Sequence, residues 1–405
     1  MSETVSGENH RVFSGAFFSY GFRPFFFAAG CYAPIITLDW LGVLAGWWSS
    51  PNPVSPIWWH GHEMLFGWAV AAVCGFLLTA IPNWSSSQPV TGAALAFLWV
   101  LWLLGRVGMW FSAALPSGVG AALDLLLIPG LLWFVLPPIY RSQRPRHYIF
   151  PVFLLALWVA DLLSLLPYTS RWPERATTGL YLGTYVMIAM LTIIGGRVVP
   201  NFTRGALRAQ GKEQSVKTSE TFSKAAVLGV ILALAMDLVV RSQPNASTLI
   251  LVNGWSALLV AVLLTLRARG WRFRETWNNP LLWILHVGQG WLIVAFAARG
   301  LSILTGWIPS TAAFHAMGAG AMAAMILAFM TRAPLGHTGR TLRASRVTTL
   351  AYLLVISAGI ARVVSPLLSG NLQLPGLVVA GTLFAAAYAV YTIEYFPILT
   401  RPSVR

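Results

Sequence analysis

The sequence predicts an all-α polytopic membrane protein with twelve transmembrane helices, and three observations lead to this fold class. Of the 405 residues, 57% are hydrophobic and only 10% are charged, whereas soluble globular proteins carry about 25% charged residues. Several apolar stretches exceed the length of about 18 residues that identifies a membrane-spanning helix. The segments between these stretches are short, so residues 1–405 are expected to form a single integral membrane domain.

The apolar stretches divide into twelve candidate helices. The first is long and contains Pro24 and Pro34, and because proline removes a helical hydrogen bond, we expect this helix to bend. Prolines also suggest where other helices end, at Pro200 in the sixth and just before Pro334 in the tenth. The predicted limits are 17–48, 57–82, 90–112, 119–140, 148–167, 175–200, 220–241, 246–267, 279–304, 311–333, 346–366 and 375–399.

Basic residues predict the orientation of these helices. Arg and Lys concentrate in the segments that follow even-numbered helices, near residues 141–147, 201–219, 267–277 and 334–346. Because such residues are retained on the cytoplasmic side, both termini are predicted to be cytoplasmic. The net charge of +15 is thereby attributed to topology and to contacts with lipid headgroups. The basic residues are dispersed over short loops, so the expected partner is the lipid bilayer and not nucleic acid.

Ionisable side chains inside the predicted spans are the first functional candidates, because each costs several kcal/mol in hydrocarbon. Most of them fall in the outer half of the bundle: Glu63, Arg106, Asp124, Asp161, Asp237, Arg241, Arg299 and Arg362. One interpretation is a polar, partly hydrated functional layer. The alternative is a structural lattice of ion pairs that locks the helices together, and the sequence leaves both open.

Histidines form the second set of candidates. The stretch "WWHGHEMLFGWA" places His60 and His62 at the outer mouth of the second helix, and His315 lies at the outer end of the tenth. At about 1.5 Å per residue, His62 lies about 30 Å from the inner end of its helix and His315 about 25 Å, so their depths are similar. His286 and His337 form a looser pair near the inner face. The sequence therefore predicts one outer cluster and a weaker inner site.

Neutral imidazole is a common ligand for haem iron and for copper. Two helices that each offer a histidine can hold a haem between them, and Arg106, Arg299 or Arg362 can neutralise its propionates. His60 and His62 point about 200° apart on a regular helix, so they are not expected to serve one face of a haem together. We expect His62 and His315 to be the axial ligands of an outer haem.

Glu63 and Met64 lie about one turn from His60 and are expected to share its face of the helix. Glu63 is interpreted as an orienting group for an imidazole, a proton carrier or a metal ligand, and Met64 as a packing residue. The competing interpretation of the whole stretch is an interfacial cap whose imidazoles bind water and headgroups. Cys31 and Cys74 lie in apolar runs, and the absence of CxxCH means that any haem is bound without a thioether link, as b-type haem is.

Three segments resemble the NnrS family of membrane proteins over nearly the whole chain. They are "FSYGFRPFFFAAG", "WHGHEMLFGWAVAAVCGFLLTAIPNW" followed by "LWVLWLLGRVG", and "FHAMGAGAMAAMILAFMTRAPLGHTGR". The resemblance implies a haem- and copper-containing protein of the bacterial inner membrane, associated with nitric oxide metabolism and protection from nitrosative stress. It points to His60, His62, Glu63, His315 and His337 as site residues. His286 is added from its membrane depth alone.

The function expected from these features is a haem protein that binds nitric oxide. If the protein is an enzyme, it is a haem-dependent oxidoreductase acting on nitric oxide, with an electron donor and an oligomeric state that the sequence does not identify. The alternatives are a secondary transporter of a metal, haem or small anion, and a sensor or assembly factor. Haem–copper oxidases share a twelve-helix core with ligands on the second and tenth helices, but the sixth and seventh helices here lack histidine. A three-histidine copper site of that kind is therefore not expected.

Overall fold

A computed structural model describes residues 15–51, 55–166, 174–208 and 210–404. These ranges contain no strand and include twelve helices that are long and apolar enough to cross a membrane, which confirms the predicted all-α, multi-pass class. The helices are α1 (Phe22–Leu44), α2 (Pro56–Ser85), α3 (Gly92–Trp110), α4 (Val119–Arg141), α5 (Pro145–Leu165), α6 (Thr177–Arg208), α7 (Glu220–Ser242), α8 (Ser247–Ala268), α9 (Pro280–Thr305), α10 (Ser310–His337), α11 (Arg346–Leu367) and α12 (Gly370–Thr400).

Helices α2, α6 and α10 all run beyond their predicted ends, each through a proline. Helix α2 continues through Pro82 to Ser85. Helix α6 continues through Pro200 to Arg208, and α10 continues through Pro334 to His337. Membrane helices tolerate proline because neighbouring helices and side chains can satisfy the backbone groups that it leaves unpaired. Helix α1 is shorter than predicted and has Pro34 in its interior. Part of the sequence expected in the loop at 201–219 is therefore helical.

Both described ends of the chain lie at the same end of the bundle. Arg23, at the start of α1, donates hydrogen bonds to the backbone carbonyls of Ile398 and Arg401, at 3.1 and 2.6 Å. The backbone N–H of Val404 donates to the carbonyl of Thr338, just after α10, at 2.9 Å. This arrangement agrees with an even number of spans. The assignment of this end to the cytoplasm stays a prediction.

Helices α2, α10 and α6 form the centre of the bundle. Within the most apolar 18-residue stretch of each helix, 83% of the residues are buried in α2, 78% in α10 and 72% in α6. The corresponding value for the peripheral α7 is 28%. Exposed Leu, Val and Trp side chains cover the peripheral helices, as expected of a surface that faces lipid. The histidines of α2 and α10 are therefore carried by central helices.

Helices α2 and α10 share an irregularity next to their outer histidines. In α2, a π-helical segment at Glu63–Ala69 directly follows His62, and in α10 a π-helical segment at Ala316–Met322 directly follows His315. Each segment has seven residues and leads into a regular α-helix. Wide turns of this kind are rare in proteins, but those that do occur are often found at functional sites. The two helices thus widen at the same position relative to a histidine.

Candidate functional site

A cavity of about 290 Å³ lies between six helices, α1, α2, α6, α10, α11 and α12, towards the end of the bundle opposite the described chain ends. We call it the histidine cavity. Its polar and sulfur-containing lining includes His60 and Met64 from α2, His315 and Met322 from α10, and Arg362 from α11. Two imidazoles, from the central helices α2 and α10, therefore line one cavity, together with a single arginine among the described lining residues.

His60 is positioned by an aromatic neighbour. Its ring stacks on Trp40 of α1, with ring centroids 4.7 Å apart and an angle of 18° between the planes. Its Nδ1 atom is buried and has no hydrogen-bond partner among the described residues. A buried polar atom without a partner costs about 1–3 kcal/mol, so a ring held in this way is suited to binding a ligand.

The hydrogen bonds of His315 identify its tautomer. Nδ1 lies 2.7 Å from the backbone carbonyl of Thr311, which can only accept, so Nδ1 carries the hydrogen. Nε2 accepts from Nη2 of Arg362 at 3.1 Å and therefore presents a lone pair. The other terminal nitrogen of Arg362, Nη1, is buried without a partner in the described structure. His315 thus has the neutral form that binds metals.

His62 lies in a second site, which we call the carboxylate cluster: His62, Glu63, Arg106, Asp124 and Asp161. The Nδ1 atom of His62 lies 3.0 Å from Oε1 of Glu63. Its Nε2 atom lies 3.1 Å from Oδ1 of Asp161 and 3.2 Å from Oδ2 of Asp124. All five side chains are at most 5% exposed. Both ring nitrogens of His62 are therefore occupied by carboxylates from α2, α4 and α5.

Arg106 of α3 joins the acidic groups of this cluster. It donates to Oε2 of Glu63 with one nitrogen and to Oδ1 of Asp124 with another. The hydroxyl of Tyr32 also donates to Glu63. Gly67 makes room for this contact, because a Cβ there would lie 2.6 Å from the Tyr32 ring and 2.9 Å from Nη1 of Arg106. The cluster therefore depends on a glycine within the π segment as well as on its charged members.

A third polar group surrounds Asp237 of α7. Its Oδ1 accepts from Nδ2 of Asn253 at 2.9 Å and from Arg299, and its Oδ2 accepts from Nε of Arg241 at 2.9 Å and from the hydroxyl of Tyr185. Arg299 therefore pairs with Asp237 and does not line the histidine cavity. This arrangement fits the structural lattice of ion pairs that the sequence left open.

Comparison with known families identifies the chain. A family model described as NnrS protein matches residues 16–403. The chain belongs to the NnrS family. A comparison with curated proteins found no match. Membership of the NnrS family fits a role in nitric oxide metabolism or in the response to nitric oxide.

In this NnrS-family chain, the predicted outer histidines separate into two sites. His60 and His315 line one cavity, whereas His62 faces the carboxylate cluster. The expectation that Glu63 shares the face of His60 is wrong, since Glu63 contacts His62, Arg106 and Tyr32. The signal that could have linked Asp124 and Asp161 to His62 was their common outer depth. Depth alone did not reveal which helices are neighbours.

The remaining predicted residues of the NnrS-family chain lie apart from both sites. His286 contacts Thr203, with Nε2 2.9 Å from the hydroxyl oxygen, and its ring lies against Phe273. The ring of His337 stacks with Tyr20 and Phe22, at centroid distances of 5.3 and 6.0 Å. The two histidines thus contact different side chains. A second haem or metal site at this pair stays a prediction.

Proposed function

We propose that the protein binds a non-covalent, b-type haem in the histidine cavity and acts in nitric oxide metabolism, as a multi-pass protein of the bacterial inner membrane. The observation that carries this proposal is the meeting of two imidazoles, from the central helices α2 and α10, in one cavity. Histidines on facing helices are a common way to bind haem within a helical bundle. Family membership supports the connection with nitric oxide.

The ligands that we propose are His60 and His315. Both nitrogens of His62 lie 3.0–3.2 Å from carboxylate oxygens, so a change of partners would leave buried charges unpaired. In contrast, Nδ1 of His60 has no hydrogen-bond partner among the described residues, and Nε2 of His315 presents a lone pair. We therefore favour His60 over His62 as the partner of His315, in place of the pair expected from the sequence.

The lining residues fit a haem in charge and chemistry. The unpaired Nη1 of Arg362 is a donor suited to a carboxylate such as a propionate. If Arg362 paired with a propionate, it would no longer need to donate to Nε2 of His315, whose lone pair could then hold the iron. The volume of about 290 Å³ is just below the range for ligand pockets, about 300–1,000 Å³. Flexible side chains such as Met64 and Met322 can move to enlarge it.

The protein supplies orientation and exclusion of water in this proposal. Trp40 holds the ring of His60, and the carbonyl of Thr311 holds that of His315, so neither ring needs to be ordered when the ligand binds. A bound haem would supply an iron centre that exchanges electrons or coordinates nitric oxide. Nitric oxide is small and apolar, so it can reach the cavity from lipid. Turnover, for which an electron donor is needed, would contribute to protection from nitrosative stress.

Copper is the second metal that the family resemblance implies. Thioether sulfur and imidazole are the donors that suit Cu(I), and Met64 and Met322 line the same cavity as the two histidines. The carboxylate cluster offers oxygen donors, which suit harder ions. We propose that any copper is bound by donors of the histidine cavity. Met64→Leu and Met322→Leu variants with full copper content would contradict this part of the proposal.

Absorption spectroscopy of the purified protein, oxidised and reduced, tests the haem proposal. We expect a Soret band in the wild type, a shift of that band on addition of nitric oxide, and loss of most of the haem in His60→Ala and His315→Ala. His147→Phe is the matched control, because His147 stacks on Trp84 away from the cavity, and this variant should keep its haem.

Two results would contradict the proposal. One is a wild type without a Soret band after expression with added haem. The other is full haem content in both cavity variants. A flux through proteoliposomes that persists in haem-free protein would favour the transporter alternative.

A further inference from the structure

The carboxylate cluster carries an unbalanced charge. Its members include three carboxylates and one guanidinium, so with a neutral His62 ring the cluster has a net charge of −2. All five side chains are nine-tenths or more buried inside the bundle. An unpaired charge in such a place is strongly destabilising. The folded protein therefore needs two further positive charges at this position.

The geometry around Nε2 of His62 indicates where these charges lie. Two carboxylate oxygens, Oδ1 of Asp161 and Oδ2 of Asp124, lie 3.1 and 3.2 Å from this one nitrogen. A single N–H points to only one of them, and Oδ2 of Asp124 has no hydrogen-bond partner in the described part of the chain. One ligand atom from each of the three residues lies within 4.8 Å of the others. The nitrogen–oxygen distances of 3.1 and 3.2 Å suit neighbouring ligands around one ion with bonds of about 2.0–2.2 Å.

We propose that His62, Asp124 and Asp161 bind one divalent transition-metal ion, of the class of Zn²⁺, Mn²⁺ or Fe²⁺. The ion would be held by Nε2 of the histidine, Oδ2 of Asp124 and Oδ1 of Asp161. Its two positive charges, with that of Arg106, balance the three carboxylates. A mixed imidazole and carboxylate donor set suits borderline and harder ions. This site is independent of haem binding in the histidine cavity.

The neighbouring groups supply the outer contacts that such a site requires. Glu63 accepts from Nδ1 of His62 at 3.0 Å, which fixes the ring and directs the Nε2 lone pair towards the two aspartates. Arg106 donates to Oδ1 of Asp124, which leaves Oδ2 of that carboxylate free for the ion. Each of these contacts is of the kind that orients ligands in known metal sites.

The competing explanation is two bound protons, one on His62 and one on a carboxyl group, which would give the same net charge. Zinc binding separates the two explanations. We expect protein that is purified in detergent, stripped with a chelator and titrated with ZnCl₂ to bind about one ion per chain. The melting temperature should rise with the ZnCl₂ concentration, because the ion binds the folded state.

Variants locate the ion. Asp124→Asn and Asp161→Asn should each lower zinc occupancy at least tenfold, and Glu63→Gln should weaken zinc affinity about 10–100-fold through its effect on His62. Asp237→Asn is the matched control, since it removes a buried carboxylate from a different polar group and should bind zinc as the wild type does. His315→Ala should lose haem and keep zinc, which separates this site from the proposed function.

X-ray absorption spectroscopy of the zinc-loaded wild type identifies the atoms around the ion. Because it uses the wild type alone, its result does not depend on whether any variant folds. We expect nitrogen and oxygen neighbours at about 2.0–2.2 Å and no sulfur neighbour at about 2.3 Å. The proposal is overturned if the wild type shows no saturable binding of zinc or manganese, which would assign protons to the cluster. It is also overturned by sulfur around the zinc, or by unchanged zinc binding in both aspartate variants.

Discussion

The imidazole rings of His60 and His62 are two residues apart on α2 and serve different sites. The ring of His60 stacks on Trp40 and lines the histidine cavity, whereas both nitrogens of His62 contact carboxylates of the buried cluster. Helix α2 therefore forms a shared wall between a cavity and an ionic site. Substitutions at the two positions should have separable effects.

We expect His60→Gln to lose haem with a small change in stability, since the His60 ring has no hydrogen bond at Nδ1. His62→Gln should keep haem and lose stability, because its one amide nitrogen cannot contact the carboxylates on both sides of the former ring, at about 1–3 kcal/mol for each group left without a partner. The ratio of Soret to protein absorbance and the melting temperature measure the two effects. Equal haem loss in both variants would argue against separate sites.

Arg106 should be among the most stability-sensitive residues of the bundle. Arg106→Met removes the cation that pairs with Glu63 and Asp124, and breaking a buried ion pair costs about 3–5 kcal/mol. Arg272→Met is the control, since Arg272 is half-exposed in its pair with Glu275 and should contribute about 1 kcal/mol or less. Denaturant titration of both variants in the same detergent tests this. Similar losses in the two would contradict the buried network.

Gly67→Ala should destabilise the protein by about 1–3 kcal/mol, because the new Cβ enters the space between the Tyr32 ring and Nη1 of Arg106. Gly290→Ala in α9 is the matched control, as its Cβ would have no neighbour within 4 Å. The two melting temperatures provide the comparison. A Gly67→Ala variant as stable as Gly290→Ala would mean that the cluster adjusts to the added methyl group.

From the sequence, Arg106, Arg299 or Arg362 was expected to lie near a haem propionate, and of these three only Arg362 lines the cavity. Arg362→Met should weaken haem retention about tenfold or more, since a charge-assisted hydrogen bond contributes about 1.5–3 kcal/mol. Arg299→Met should keep its haem and lose stability, because it breaks the pair with Asp237. Haem transfer to apomyoglobin measures retention. Faster loss from Arg299→Met than from Arg362→Met would reverse this assignment.

Much of the fold was predictable because hydropathy depends on each residue and its neighbours along the chain. The twelve helices and the similar depth of His60 and His315 follow from it. The helix period predicts that His60 and His62 point in different directions, but which of them faces the cavity and which faces the carboxylates depends on the packing of α2 against α1, α4 and α5. Likewise, Asp124 and Asp161 are separate features of two helices in the sequence and become partners of His62 only in the folded bundle.

The π segments after His62 and His315 make the geometry of these sites a matter of chain length as well as of composition. In a regular helix each residue advances by about 100° around the axis. Deleting Ala69 from the π segment after His62 would therefore rotate the end of α2 that carries the histidines by about that angle relative to its other end. His60 would turn from the cavity and His62 from its carboxylates, with every site residue still present. Two chains with identical site residues would then differ in function through the count of residues in one turn.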